Sequence, residues 1–122
     1  MPIKSFRDLR IWQAAHELVL EIYRLSRRFP STEIYGLTSQ IRRSAASVPA
    51  NIAEGFARRS TKELVQFLYT ARGSLAETEY HCILADALGY LPPGSLHDLS
   101  DKYARLNSGV NVLINKLKQK IS

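Results

Sequence analysis

Apolar residues recur along most of the chain in steps of three and four, which is the spacing of one face of an α-helix. This periodicity predicts four helices, over about residues 6–29, 32–58, 61–88 and 95–119. No segment alternates apolar and polar residues as a strand would, and the connections between the helices are short. The predicted fold class is therefore all-α, an antiparallel up-down four-helix bundle that forms a single domain over residues 1–122.

Three of the helices carry a long apolar seam that should supply the core of the bundle. The seams are Ile11, Ala15, Leu18, Ile22, Leu25 and Phe29 in the first helix, Leu64, Leu68, Ala71, Leu75, Thr78, Cys82 and Ala85 in the third, and Leu96, Leu99, Tyr103, Leu106, Val110, Leu113 and Leu117 in the fourth. The second helix carries a shorter apolar stripe of Ile34, Leu37, Ile41, Val48 and Ile52.

Capping and turn residues mark where the helices begin and end. Pro30 ends the first helix, because the residue before a proline is pushed out of the helical region. Residues 60–63, STKE, form a capping box that opens the third helix. Gly89 can take the left-handed conformation that ends this helix, and residues 91–94, LPPG, make a stiff connector.

Pro49 lies inside the predicted second helix, where it removes one backbone donor and crowds the carbonyl of Ala45. A proline in a helix interior costs roughly 3 kcal/mol. Small side chains surround Pro49, and they allow another backbone to come close. We therefore expect this helix to bend at Pro49.

A continuous polar stripe runs along the second helix at heptad spacing, beside the apolar stripe. It consists of Gln40, Ser44, Ser47, Asn51, Glu54 and Arg58. One interpretation is that the stripe faces water. The other is that its first five residues form a contact between subunits or line a polar groove. Glu54 and Arg58 also have the spacing of an ordinary ion pair on a helix surface.

The net charge of +6 is placed unevenly along the chain. Residues 1–72 hold 12 Lys/Arg and 6 Asp/Glu, whereas residues 73–122 hold 5 of each. Such a balance favours a polyanion as partner, either nucleic acid or an anionic membrane surface. The candidate phosphate-binding residues are Arg42, Arg43, Arg58, Arg59, Lys62 and Arg72, and the plain alternative is that they form a solvated face.

The ionisable residues form no recognisable catalytic or metal-binding set. His81 and Cys82 are adjacent, so on a helix they point about 100° apart and cannot act as a base and its nucleophile. The three histidines, His16, His81 and His97, lack the spacing of two metal ligands on one helix face. We therefore expect no enzyme activity, no metal and no other cofactor.

A single cysteine excludes an internal disulfide and indicates a reducing compartment or indifference to redox state. The N-terminus has no apolar run typical of a signal peptide, and no segment approaches the roughly 20 apolar residues of a membrane span. These features predict a cytoplasmic protein.

Several sequence blocks together resemble a known bacterial family. They are residues 6–9, FRDL, with Trp12 and Gln13, then Phe29-Pro30 with Glu33, residues 35–43, YGLTSQIRR, residues 48–55, VPANIAEG, and residues 71–75, ARGSL, with Glu77. In this order and spacing they resemble the four-helix-bundle family named for bacterial 23S rRNA intervening sequences, over about Phe6 to Leu91. The resemblance implies an all-helical bundle, similar to homopentameric members, with a basic surface proposed to meet nucleic acid.

The accessory protein of diversity-generating retroelements looks like a relative of this family, one that contacts nucleic acid and a reverse transcriptase. The family has no established catalytic residues. The leading hypothesis is therefore a non-enzymatic, homo-oligomeric bundle that binds RNA or other nucleic acid through a basic surface, with 23S rRNA implied by the resemblance. The alternative is a protein–protein adaptor that presents a groove to a nucleic-acid-processing enzyme, for which a large exposed apolar patch would be the mark.

Overall fold

A computed structural model describes residues 4–121, and within this range it is all-helical with four α-helices and no strand. The helices are α1 (Arg10–Ser26), α2 (Leu37–Phe56), α3 (Thr61–Ala87) and α4 (Ser95–Ile121). Two short 3-10 helices, Phe6–Asp8 and Ser31–Glu33, precede α1 and α2. The prediction of an all-α fold with four helices is confirmed.

The first two helices are shorter than the sequence pattern predicts, because each begins after a separate 3-10 turn. Ser5 and Asp8 close a capping box around the first turn, and the extended backbone of Leu9 separates it from α1. Before α2, the Glu33 carboxylate accepts a hydrogen bond from the N–H of Leu37 (3.1 Å). The capping box therefore belongs to the first 3-10 turn, and α1 begins after Leu9 without a side-chain cap. Apolar spacing marks neither of the two helix starts.

The ends of α3 follow the predicted caps, with one difference in detail. Ser60 Oγ accepts a hydrogen bond from the N–H of Glu63 (3.1 Å), as predicted. The Glu63 carboxylate, however, accepts from the Ser60 hydroxyl (3.1 Å) and not from the backbone N–H that a capping box uses. Gly89 has φ +79°, and its N–H donates to Asp86 O. The N–H of Tyr90 donates to Ala85 O. This is a Schellman motif, so the predicted left-handed glycine is confirmed.

The predicted seams supply most of the buried core. Ile22, Ile52, Leu68, Leu99 and Val110 are almost fully buried. Ile34 is the exception, because it lies in the turn before α2 and is 57 % exposed. The assignment of Ile34 to the apolar stripe was therefore wrong, and the helical stripe of α2 begins at Leu37.

Contacts between helices show the order in which they pack. α2 packs on α3, α3 on α4, and α1 on α2, with a smaller contact between α1 and α4. Ser44 pairs with Thr78 and Ser47 with Ser74, while Gly55 lies against Phe67, so α2 and α3 run in opposite directions. A Cβ on Gly55 would lie 2.8 Å from Cβ of Phe67, so this glycine allows the close approach of α2 and α3.

Pro49 is buried within α2, and the helix is assigned without interruption from Leu37 to Phe56. The bend at Pro49 stays a prediction. None of the helices in the described part of the chain is long and apolar enough to cross a membrane.

Cys82 is fully buried, and its thiol donates a weak hydrogen bond to the Tyr103 hydroxyl (4.0 Å). Burial raises the pKa of this thiol to about 12. We expect the native protein to resist alkylation at neutral pH, since the thiolate is the reactive form. Mass spectrometry after iodoacetamide treatment should show one adduct in denaturant and almost none without it. Rapid native labelling would contradict the burial of Cys82.

Candidate nucleic-acid interface

The polar stripe of α2 faces α3 over its middle portion. Ser44 is only 5 % exposed and accepts a hydrogen bond from the Thr78 hydroxyl (2.9 Å). The Ser47 hydroxyl is bonded to that of Ser74 (2.8 Å), and the Asn51 amide donates to Ser47 O (2.7 Å). Ser44 therefore contacts a neighbouring helix of the same chain.

The remaining residues of the stripe lie nearer the surface. Gln40 accepts a hydrogen bond from Arg43 (2.7 Å), and Glu54 forms an ion pair with Arg58 (3.6 Å). A subunit contact by the five residues of the stripe stays a prediction; they are Gln40, Ser44, Ser47, Asn51 and Glu54.

Ser44, His81 and Glu77 form a chain of polar contacts that sequence spacing did not reveal. Ser44 Oγ and His81 Nδ1 are hydrogen-bonded at 3.2 Å, and His81 Nε2 lies 3.9 Å from a Glu77 carboxylate oxygen. The Ser44 hydroxyl is buried between α2 and α3, whereas the nucleophile of a serine hydrolase must reach its substrate. The arrangement satisfies buried polar groups and ties α2 to α3.

The pKa of His81 is lowered from 6.5, chiefly because burial disfavours the charged imidazolium; Glu77 opposes this effect and Arg43 adds to it. In the unfolded chain His81 takes up a proton near pH 6.5, whereas in the folded chain it stays neutral until a lower pH. We expect the free energy of unfolding to fall as the pH drops below 6.5.

Urea unfolding at about pH 7.5 and about pH 5.5 should detect this loss. The variant His81→Gln removes the titrating group, so its unfolding should depend less on pH over this interval. An equal dependence in the parent and the variant would assign the pH effect to other groups.

The predicted phosphate-binding residues fall into two groups. Arg42 and Arg43 lie in the first half of α2, whereas Arg58 lies two residues beyond its C-terminal end. The 14 residue steps from Arg42 to Phe56 alone rise about 21 Å along the axis. The Arg42 guanidinium stacks on the Tyr23 ring (4.8 Å) and donates to Ser26 Oγ (2.8 Å). The exposed Arg43 is bonded to Gln40. These two arginines therefore lie beside the C-terminal end of α1.

The second group lies where α2 ends and α3 begins. Arg59 and Lys62 are exposed, and the Arg58 guanidinium lies over the Phe67 ring (4.8 Å). Arg72 lies further along α3, where it stacks on Tyr69 (4.9 Å) and donates to Asn111 Oδ1 (2.8 Å). Stacked guanidinium groups are held in place, and their outer N–H groups can still donate.

The spacing of residues along the chain does not place the lysines at the end of α4 beside Lys62. A shallow pocket of about 330 Å³ lies between α3 and α4. It is lined by Lys62, Val65, Gln66, Tyr69, Lys118 and Ile121. Because this contact joins residues 56 positions apart in the chain, only the packing of α3 against α4 reveals it.

We define the basic end of the bundle as Arg58, Arg59, Lys62, Lys116, Lys118 and Lys120. The surrounding residues 54–66 and 114–121 hold six Lys/Arg and two Asp/Glu. At the opposite end, residues 21–43 hold five Lys/Arg and two Asp/Glu, but residues 77–105 hold only two Lys/Arg and five Asp/Glu. The charges at that opposite end therefore balance, whereas the basic end keeps a surplus of four positive charges.

The fold and these side chains define a four-helix-bundle protein with its surplus positive charge at one end. A model of the 23S rRNA-intervening sequence protein family matches residues 7–111. This match covers most of the chain, and the protein belongs to that family. The resemblance found in the sequence blocks is thereby confirmed.

A solved structure supports the fold. It is the crystal structure of a protein of unknown function from the S23 ribosomal protein family of Bacteroides thetaiotaomicron, with 23 % sequence identity and a TM-score of 0.76. The similarity covers 85 % of this chain and 97 % of that protein. No curated protein matches this chain.

Proposed function

We propose that this protein is a non-enzymatic RNA-binding bundle that holds phosphate groups at its basic end, with 23S rRNA as the RNA suggested by its family. The observation that carries the proposal is the surplus of cations where α2, α3 and α4 bring their termini together. Phosphate contacts supply most of the sequence-independent affinity for nucleic acid. The site is therefore expected to recognise the RNA backbone before it recognises any base.

The side chains suit this role in different ways. Arg58 and Arg59 can each bind a phosphate with two parallel hydrogen bonds, whereas Lys62 acts as a mobile point charge. Arg72 and Tyr69 extend the surface along α3. The positive end of the α3 dipole also lies beside Lys62 and adds to the attraction for anions.

Arg42 and Arg43 are proposed as a secondary contact. Arg42 is already bonded to Ser26, and the nearby acidic residues 77–105 weaken the attraction for a phosphate chain at that end. Homo-oligomerisation is part of the proposal, with five subunits implied by the family resemblance. Several basic ends on one assembly would bind a long RNA more tightly than a single end does.

A titration of a 23S rRNA fragment at low and at several-fold higher salt tests the proposal. For each phosphate neutralised, the logarithm of the affinity should fall by about 0.7 to 0.9 per log unit of salt. Binding at low salt that weakens steeply with salt is the expected result. An absence of binding at low salt would contradict the proposed function.

A further inference from the structure

The outer face of α3 carries a second apolar seam that the bundle core does not use. Gly73, Ala76, Tyr80, Ile83 and Ala87 recur in steps of three and four, and all five are exposed. Tyr80 is 58 % and Ile83 47 % exposed. The core seam of α3, which includes Leu75 and Cys82, lies on the opposite side of the helix. We call the five exposed residues the α3 ridge.

A groove between α1 and α4 is the matching concave surface. It has a volume of about 470 Å³, and its floor is formed by Ile11, Ala14, Leu18, Leu106 and Gly109. Its rims carry Arg10, Glu17, Glu21, Arg24, Lys102 and Arg105. An apolar floor between charged rims is a surface that commonly accepts an amphipathic helix.

The charges of the ridge and the groove are complementary. Glu77, Glu79 and Asp86 accompany the ridge, and residues 73–101 contain no Lys or Arg. The groove rims hold four cations and two carboxylates, and one of these carboxylates, Glu21, is already paired with Lys102 (2.8 Å). The groove therefore has free cations for an acidic ridge, and charge complementarity of this kind fixes the partner and its orientation.

We propose that the α3 ridge of one copy lies in the α1–α4 groove of a second copy. The inference rests on the proposed homo-oligomeric function and identifies the two surfaces that meet. In the described part of the chain α1 and α3 each pack on α2 and α4, so they lie diagonally across the bundle, and the ridge lies on a different side from the groove. Each copy then offers one free surface to a further copy, and repetition of this contact builds a ring or a filament.

Engineered cysteines test this contact in the purified, nuclease-treated protein. Ala76→Cys places a thiol on the ridge and Ala14→Cys places one on the groove floor, and both positions are exposed. We expect mild oxidation of a mixture of the two variants to give a covalent dimer. The double variant should give a ladder of larger covalent species, and the parent should give none because Cys82 is buried.

Four outcomes would overturn the proposal. Crosslinking of Ala76→Cys alone would indicate two ridges in contact, and crosslinking of Ala14→Cys alone would indicate two grooves. If the parent is oligomeric but the mixture gives no crosslink, the contact between ridge and groove is excluded. The proposal that the protein forms a homo-oligomer would still stand. A parent with the mass of one chain would contradict both the contact and the homo-oligomeric part of the proposed function.

A charge introduced on the ridge provides a second measurement. Light scattering of Tyr80→Lys should give the mass of one chain, because the added cation faces the cationic groove rims, while circular dichroism shows unchanged helix content. Tyr35→Lys is the matched control, because Tyr35 is 95 % exposed and lies in the turn before α2, outside both surfaces. Equal masses for the two variants would contradict a role of the ridge in assembly.

Discussion

The double variant Arg58→Glu/Arg59→Glu is expected to bind a 23S rRNA fragment about 100-fold more weakly than the parent at low salt. Both arginines lie at the basic end, so the substitution removes two phosphate contacts and adds two negative charges there. The slope of the logarithm of affinity against the logarithm of salt concentration should become shallower by about 1.4 to 1.8. Each lost phosphate contact accounts for about 0.7 to 0.9 of this slope. Fluorescence anisotropy of a labelled fragment over a salt series measures both quantities.

The double variant Arg27→Glu/Arg28→Glu is the matched control. It changes the net charge equally and also replaces an adjacent pair of exposed arginines, but at the opposite end of the bundle. We expect its affinity to fall by less than about 10-fold, through long-range charge effects that salt screens. A larger loss in this variant than in Arg58→Glu/Arg59→Glu would move the binding site to the group around Arg42.

The variant Gly55→Ala is expected to destabilise the fold. Overpacking should cost about 1 to 3 kcal/mol, and the better helix propensity of alanine should offset at most about 1 kcal/mol of that cost. The added Cβ would lie 2.8 Å from Cβ of Phe67 and 2.9 Å from Cδ1 of Leu64. The Leu64 methyl can rotate away, but Phe67 Cβ is fixed to its backbone, so α2 and α3 must move apart. Urea unfolding measures the loss.

Gly73→Ala is the control for this second prediction. It is also a glycine-to-alanine change inside a helix, but a Cβ on Gly73 meets nothing within 4 Å in its own chain. We expect it to stabilise the fold by about 0.5 to 1 kcal/mol, since alanine is the better helix former. A similar effect of both substitutions would contradict the close packing of α2 on α3 at Gly55.

The fold was largely predictable because its signals are local. Apolar spacing of three and four placed the seams that pack in the core, and the caps at Ser60 and Gly89 marked the ends of α3. The start of α2 was harder to predict. Ile34 continues the apolar spacing, but the Glu33 carboxylate caps Leu37, and a hydrogen bond of that kind leaves no trace in apolar periodicity.

The candidate site was only partly predictable, since it depends on contacts between distant segments. Arg58, Arg59 and Lys62 are close in sequence, so their grouping needed no structure. The approach of Lys118 to Lys62 depends on the packing of α4 against α3, and the contact of Ser44 with His81 depends on the register of α2 against α3. Sequence spacing carries no information on either register.

The separation of Arg42 from Arg58 could have been derived from the sequence. Sixteen helical residues span about 24 Å, so one predicted helix already places the two arginines in separate groups. The folded chain adds what surrounds each group. Arg42 stacks on Tyr23 and bonds to Ser26 of α1, whereas Arg58 belongs to the basic end with Arg59 and Lys62.

Lysine acetylation with and without a 23S rRNA fragment, read by mass spectrometry, tests the basic end most directly. Lys62, Lys116, Lys118 and Lys120 belong to this end, whereas Lys102 pairs with Glu21 at the opposite end and serves as the internal control. Bound RNA is expected to protect the four lysines of the basic end and to leave the modification of Lys102 unchanged. Protection of Lys102, or no protection at Lys62 and Lys118 when RNA is bound, would contradict the proposed site.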